Sequence, residues 1–206
     1  LNNNEKNNLH LNKDELKLIK PYYTTDEISR YRFLSKNKYL VIYTRSDIKN
    51  EIQKYPNIKE YLDNFRKIIT SDNKPYGLHR ARDEYFLKGE KIIVARKCIS
   101  PAFTYTDFDA YVSATFYVIK TDRINQKYLT GLLNSKLVAF WLKSKGKMQG
   151  NNYQLDKEPL LEIPIFVGNE PQQKQLISKV DKILQLKKAD KTADVSTLEK
   201  EIYELV

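Results

Sequence analysis

A chain of 206 residues, 41% hydrophobic and 12% aromatic, has the apolar material for one substantial core with an appendage or for two small domains, which excludes a disordered segment. Its 36 basic residues against 26 acidic give a formal charge of +10, and the single cysteine, Cys98, excludes an intrachain disulfide and points to a reducing, cytoplasmic setting. No apolar run approaches the ~20 residues of a membrane span, Leu1-Asn2-Asn3-Asn4 lacks the features of an export signal, and with its one methionine at Met148 the chain reads as a piece of a longer protein.

Residues 1–12 are Asn-rich and read as a linker or a frayed lead-in, while 14–20 carry helical spacing through Leu16 and Ile19 until Pro21. Residues 38–44, β-branched and aromatic, predict a buried strand. A helical period follows over 48–70, through Ile52 and, after Pro56, through Ile58, Tyr61, Leu62, Phe65, Ile68 and Ile69. Residues 72–77 carry turn chemistry. A central strand is predicted over 91–97, with strands at 102–106 and 111–120 joined as a hairpin by Asp107-Phe108-Asp109. The span 128–143 predicts one amphipathic helix whose face is Leu129, Leu132, Leu133, Leu137, Phe140 and Trp141. A basic loop punctuated by Gly146 and Gly150 covers 143–152, and Pro159, Pro164 and Val167 mark a short extended segment. The tail reads as an αα-hairpin. Pro171 sits at a helix start, Leu176, Ile177, Val180, Ile183 and Leu184 form a stripe, and Ser196-Thr197-Leu198-Glu199 carries a capping-box pattern before Ile202 and Leu205.

Charge is unevenly spread. Over 170–206 seven lysines meet seven acidic residues, so the whole surplus lies in 1–169. A basic body with a neutral tail suits a polyanion-binding module with a separate helical region.

Catalytic chemistry is not evident. Two histidines and one cysteine fall short of the four N/S ligands of a usual zinc site. The glycines are scattered, so no Gly-rich turn is in place to hold a methyl donor, and Asn73-Lys74-Pro75-Tyr76 has lysine where an adenine-clamping Asn/Asp-Pro-Pro-Tyr/Phe loop has proline. Glu15-Leu16-Lys17, the one Glu-x-Lys, falls in a predicted helix rather than on the strand of a metal nuclease. No catalytic residue, metal site or cofactor site is expected within the chain.

Three basic stretches carry groups suited to DNA: His79-Arg80-Ala81-Arg82, then Arg96-Lys97, then Lys143, Lys145 and Lys147 leading into Gln149, Asn151, Asn152 and Tyr153. An arginine fork matches guanine O6 and N7, and Asn or Gln amides match adenine, so Arg80, Arg82, Gln149, Asn151 and Asn152 are expected at base edges. Arg96, Lys97, Lys143, Lys145 and Lys147 are expected on phosphates, which position a protein without specifying sequence. His79, Tyr105 and Tyr153 are candidates for stacking. Each has a structural alternative: Arg80 and Arg82 can pair with Asp83 or Glu84, Lys143 can offset a helix dipole, and the tyrosines can belong to the core.

Taken in order, these segments resemble the TaqI-like C-terminal specificity domain. Ile19-Lys20-Pro21-Tyr22 with Glu27-Ile28-Ser29-Arg30-Tyr31 resembles its entry motif, and Tyr55-Pro56-Asn57-Ile58 through Leu62 its first recognition-domain helix. His79-Arg80-Ala81-Arg82 with Phe86 and Lys91-Ile92-Ile93-Val94 resembles the aromatic and basic segment before its central strand. The most specific piece is Tyr128-Leu129-Thr130-Gly131-Leu132-Leu133-Asn134-Ser135-Lys136-Leu137, followed by a Gly-Asn loop and Leu161-Glu162-Ile163-Pro164-Ile165. The resemblance implies an α/β fold, a mixed sheet with packed helices, ending in a C-terminal helical hairpin. It divides the chain into an entry segment at 1–20, a DNA target-recognition domain at 21–168 and a hairpin spacer at 169–206, with Asn134-Ser135 as a structural anchor. It further implies sequence-specific recognition of double-stranded DNA for a type II restriction–modification enzyme with adenine-specific DNA methyltransferase activity, in bacterial defence. S-adenosylmethionine, and magnesium where the parent also cleaves, would then be held by N-terminal methyltransferase and nuclease domains of the same polypeptide. The alternatives are a protein–protein adaptor docking through the C-terminal helices, an autonomous nuclease, and a single-strand binder using tyrosine platforms.

Overall fold

The computed structural model describes residues 1–68, 76–78 and 81–205. In chain order, helices α1 (Asn3–Asn8) and α2 (Lys13–Leu16) precede strands β1 (Ile19–Tyr23), β2 (Ile28–Ser29), β3 (Arg32–Phe33) and β4 (Tyr39–Ile42). Helices α3 (Ser46–Asn50) and α4 (Pro56–Asp63) follow, and then strands β5 (Lys91–Ala95), β6 (Lys97–Cys98), β7 (Thr104–Thr106), β8 (Tyr111–Val112) and β9 (Phe116–Ile119). Helices α5 (Gln126–Leu133) and α6 (Lys136–Lys145) lead into β10 (Lys147–Gln149) and β11 (Asn152–Gln154), and α7 (Lys157–Leu161), α8 (Glu170–Ala189) and α9 (Ser196–Tyr203) complete the chain. Among the described residues the strands form small sheets in the orders β4-β1-β8, β2-β3, β7-β5-β9 and β10-β11-β6. The fold is α/β with a helical C-terminal region, as expected, and its strands are distributed over several sheets.

Two compact units interleave along the chain: Leu1–Tyr23, Lys36–Leu87 and Asp109–Tyr111 form the first, and Thr24–Ser35, Lys88–Phe108 and Val112–Val206 the second. These boundaries differ from the chain-order division at 1–20, 21–168 and 169–206.

In the first unit, the Asn-rich start is a capped helix rather than a linker. The Asn2 side chain accepts from Glu5 N at 2.9 Å and the Glu5 carboxylate accepts from Asn2 N at 2.6 Å. Helix α2 opens in the same way on Asn12 and Glu15. The helical spacing through Ile19 is overridden, because β1 pairs antiparallel with β4, setting Ile19 opposite Ile42 and Pro21 opposite Leu40. Proline at the start of α4 divides the helical period expected over 48–70. Ile42, Ile52, Ile58 and Tyr76 form the core, with Leu1, Leu11 and Leu18 packed on it.

In the same unit Glu15 is fully buried. Its carboxylate accepts from Asn12 N at 2.9 Å, Asn57 N at 2.7 Å, Asn57 Nδ2 at 2.8 Å and Ile58 N at 3.2 Å. One side chain therefore closes the N-termini of both α2 and α4. Burial opposes ionisation, but the bonds from Asn12, Asn57 and Ile58 outweigh it and hold the carboxyl below its ordinary value.

In the second unit, β5 is the central strand, as its β-branched run predicts, with Lys91, Ile92, Ile93 and Val94 buried. The hairpin expected at 107–109 is not formed. Strand β7 pairs with β5, whereas β8 joins the sheet of β1 and β4. The helix expected over 128–143 breaks at Asn134-Ser135, where Ser135 Oγ caps α6 by accepting from Val138 N at 3.2 Å. The break changes which residues face inward: Leu129, Leu132 and Leu133 are buried, but Leu137 and Phe140 are 67% and 68% exposed. The Asn134 side chain turns into the core, accepting from Phe103 N at 3.0 Å and donating to Phe103 O at 2.8 Å.

The tail forms the two expected helices. Leu176, Val180 and Ile183 of α8 and Ile202 of α9 share a core with Tyr31, Tyr128 and Leu132. The capping box read at Ser196 and Glu199 is absent: Val195 is the N-cap, the Asp194 carboxylate takes the Ser196 amide at 2.9 Å, and Glu199 bonds Arg30. Asn169 and Gln172 supply a capping box at α8 instead. Among the described residues no helix is long and apolar enough to cross a membrane.

Candidate nucleic-acid interface

Residues 143–152, expected as a basic loop, are the end of α6 and the start of an antiparallel hairpin. Gly146 makes the junction, since a Cβ there would lie 2.5 Å from Leu142 O. Gly150, at φ +58°, occupies the first position of the two-residue turn between β10 and β11, where a II′ turn requires glycine.

Register then decides which side chains meet. Lys147 opposes Gln154, Met148 opposes Tyr153 and Gln149 opposes Asn152. On the other side of β11, Tyr153 opposes Cys98 and Gln154 opposes Lys97. Opposed residues share a face and neighbours alternate, so Lys97, Lys147, Gln149, Asn152 and Gln154 fall on one face, and Cys98, Met148 and Tyr153 on the other. Cys98 and Tyr153 pack on the core that contains Ile92, Val94, Phe103 and Leu155, which turns the polar face outward. Burial pushes the Cys98 thiol up to about 11.

The outward face carries two cations and three amides on a hydrogen-bonded scaffold. Among the described residues, the side chains of Lys97, Gln149, Asn152 and the turn residue Asn151 have no hydrogen-bond or ion-pair partner within the chain. Asp156 borders the face, 3.3 Å from Lys147 Nζ and 3.5 Å from Gln154 Nε2. Arg96, between β5 and β6, is exposed, with its guanidinium carbon over the Tyr117 ring at 5.1 Å from the centre. Lys143 and Lys145 lie exposed in the last turn of α6, Lys145 over the Trp141 ring at 5.7 Å.

His79 and Arg80 are outside the described residues. Arg82 belongs to the first unit, where its carbonyl accepts from the Tyr43 hydroxyl at 2.6 Å. Tyr105 is buried, its hydroxyl donates to Glu90 at 2.6 Å, and Lys127 lies over its ring at 5.4 Å. Burial and the Glu90 carboxylate both push its phenol pKa up. Tyr105 is therefore a core ring rather than a surface for stacking, and Tyr153 is half-buried against the core for the same reason of register. Gln154 went unread in the sequence. The signal that could have found it is the alternation of polar Lys147, Gln149, Asn152 and Gln154 with Met148, Tyr153 and Leu155 around a Gly-Asn turn.

Residues 20–165, which include this whole sheet, match the family model described as the TaqI-like C-terminal specificity domain. Among solved structures the chain is similar to the type IIL restriction–modification enzyme MmeI in complex with DNA, with a TM-score of 0.65 and 15% identity over 100% of this chain and 29% of that one. It is also similar to the type IIG restriction endonuclease BpuSI, with a TM-score of 0.49 and 14% identity over 92% of this chain and 26% of that one. The chain thus spans less than a third of either enzyme, and at these identities the likeness to MmeI speaks for the fold. No curated protein matches the chain.

Proposed function

Because the chain belongs to the TaqI-like C-terminal specificity domain family of restriction–modification enzymes, we propose that it reads the sequence of double-stranded DNA for an enzyme whose chemistry resides in another part of the polypeptide. The observation that carries this reading is the outward face of β10-β11-β6, where Lys97 and Lys147 stand among Gln149, Asn152 and Gln154. Ammonium groups suit phosphates, and carboxamides with unused donors and acceptors suit base edges in the major groove. The fold neighbour MmeI was solved with DNA bound.

The parent is an adenine-specific DNA methyltransferase of a type II system working in the cytoplasm, and S-adenosylmethionine, with magnesium for any cleavage, is held by its catalytic part. Two alternatives have less support. An adaptor docking through the tail would need the apolar stripe of α8, but Leu176, Val180 and Ile183 are spent on the chain's own core. For a nuclease, the one Glu-x-Lys is unsuitable because Glu15 is buried as a helix cap.

The test is a salt titration of fluorescence anisotropy with duplex and single-stranded probes. The chain should prefer duplex, with affinity falling steeply as salt rises, and Lys97→Ala or Lys147→Ala should each flatten the slope of log affinity against log salt by about 1. Salt-independent binding, or preference for single strands, would overturn the reading. Asp156→Asn should act in the opposite sense. Removing the carboxylate beside Lys147 should tighten binding to all duplexes at low salt by about two- to fivefold, the scale of an exposed ion pair. An unchanged affinity would show that Asp156 does not compete with phosphate.

A further inference from the structure

The reading of this sheet as a DNA interface leaves open which group selects a base. Next to the outward face is a groove of about 410 Å³, lined by Ala95, Arg96, Lys97, Ala114, Thr115 and Gln154 together with Thr25. We infer that this groove seats a guanine-containing base step of the duplex and that Arg96 is the residue that specifies the guanine. The inference rests on the function proposed above and assigns Arg96 a role different from the phosphate contact expected of its residue type.

Four features of the site carry it. First, the Arg96 backbone is held on both sides: its N–H donates to Thr115 O at 2.8 Å and its carbonyl accepts from Leu155 N at 2.8 Å. Second, its guanidinium carbon lies over the Tyr117 ring, 5.1 Å from its centre, and among the described residues its one hydrogen bond, to Ala114 O, is long at 3.5 Å. The ring holds the guanidinium by a cation–π contact and leaves its donors largely unspent for a bidentate contact to O6 and N7. Third, no carboxylate pairs with Arg96 among the described residues. Other arginines are committed: Arg30 to Glu199, Arg45 to Asp47 and Arg66 to Asp63. Fourth, the lining is largely apolar. The methyl groups of Ala95, Ala114 and Thr115 suit a thymine C5-methyl beside the guanine, while Gln154, whose Nε2 also donates to Asp156 at 3.5 Å, adds an amide that matches adenine.

A phosphate-binding arginine needs none of these features. Phosphate contact calls for a solvated cation, which Lys97 and Lys147 already provide, whereas a guanidinium held over an aromatic ring beside an apolar lining is matched to a planar, partly apolar edge.

The experiment selects duplexes from a randomised library with the wild-type chain and with Arg96→Ala, Arg96→Lys and Lys147→Ala. Thermal unfolding confirms that each variant is folded. Wild type should enrich a motif containing a guanine that Arg96→Ala no longer fixes, the other positions being retained, with affinity for the wild-type motif reduced about tenfold or more. Arg96→Lys should not restore the guanine, because an ammonium lacks the fork. Lys147→Ala should weaken all sequences and leave the motif intact. If Arg96→Ala keeps the full wild-type motif, whether or not overall affinity drops, Arg96 is not the selecting group and only this inference fails. If the wild type enriches no duplex sequence at all, the proposed function fails and the inference fails with it.

Discussion

Replacing Asn134 with alanine is expected to lower the stability of the larger unit by about 3 kcal/mol, because two buried backbone groups lose their partner at once. The amide accepts from Phe103 N at 3.0 Å and donates to Phe103 O at 2.8 Å, and Phe103 is fully buried. Water cannot replace these bonds without opening the core around Ile92, Val94, Leu129 and Leu133. The same Asn134 Nδ2 donates to Thr130 O at 3.1 Å, and Arg30 donates to Asn134 O at 2.8 Å. The side chain therefore ties the break between α5 and α6 to the segment that leads from β6 to β7. A melting temperature lowered by roughly 6–12 °C would accord with a loss of this size in a chain of this length. Asn134→Asp is the sharper probe. It is nearly isosteric and keeps an acceptor for Phe103 N, but it sets a carboxylate against Phe103 O. It should be at least as destabilising as alanine at neutral pH and should recover part of the loss in acid. If both variants unfold like the wild type, the amide is incidental.

The second large effect is expected at Glu15. Charge-assisted hydrogen bonds contribute about 1.5–3 kcal/mol each, but four donors share two oxygens and the glutamine carbonyl keeps part of the set, so Glu15→Gln should cost on the order of 2–3 kcal/mol. The sign of the pH dependence follows from the lowered pKa. A carboxyl depressed in the folded state contributes its full stability above the ordinary glutamate value and loses it as the pH falls through the folded value. The wild type should thus lose stability on acidification through that range, and the gap between wild type and Glu15→Gln should narrow. A gap that stays constant with pH would mean that the ionised form is not what holds α2 to α4. Hydrogen exchange at Asn57 and Ile58, whose amides the carboxylate accepts, would localise the effect.

Much of the secondary structure was legible where local pattern and tertiary demand agree. Ile92, Ile93 and Val94 read as a central strand and are one, and the stripe Leu176, Val180 and Ile183 read as a buried helix face and is one. Legibility failed where long-range pairing decides. Ile19 fits a helical period, yet the strand opposite claims it, and no local signal announces that pairing. The period from Leu129 to Trp141 runs unbroken through Asn134-Ser135, so only the Phe103 backbone, distant in sequence, reveals why the helix stops there. The interleaved units are hidden for the same reason, since residues 24–35 and 109–111 each leave the unit that holds their neighbours. For the site, residue type alone picked out Lys97, Lys147, Gln149 and Asn152. Their convergence on one face required the β6–β11 pairing, which also turned Tyr153 inward.

The turn at Gly150 has a consequence for how such a surface can evolve. Its two residues lock β10 against β11 in one register, and in an extended strand the side chains alternate with a period of two. An insertion of one residue in β11 that is not absorbed as a bulge would exchange the faces beyond it, turning Gln154 toward the core and Tyr153 away from it. Insertions in pairs, or exchanges at alternate positions, would leave the buried side undisturbed. The hairpin therefore works like a keyed plug: its outward contacts can be rewritten one by one, while a change of length keeps the faces in place when it comes in even steps or is taken up as a bulge. Under the function proposed above, new target preferences would then arise by substitution at every second position, with the beat of the strand itself left intact.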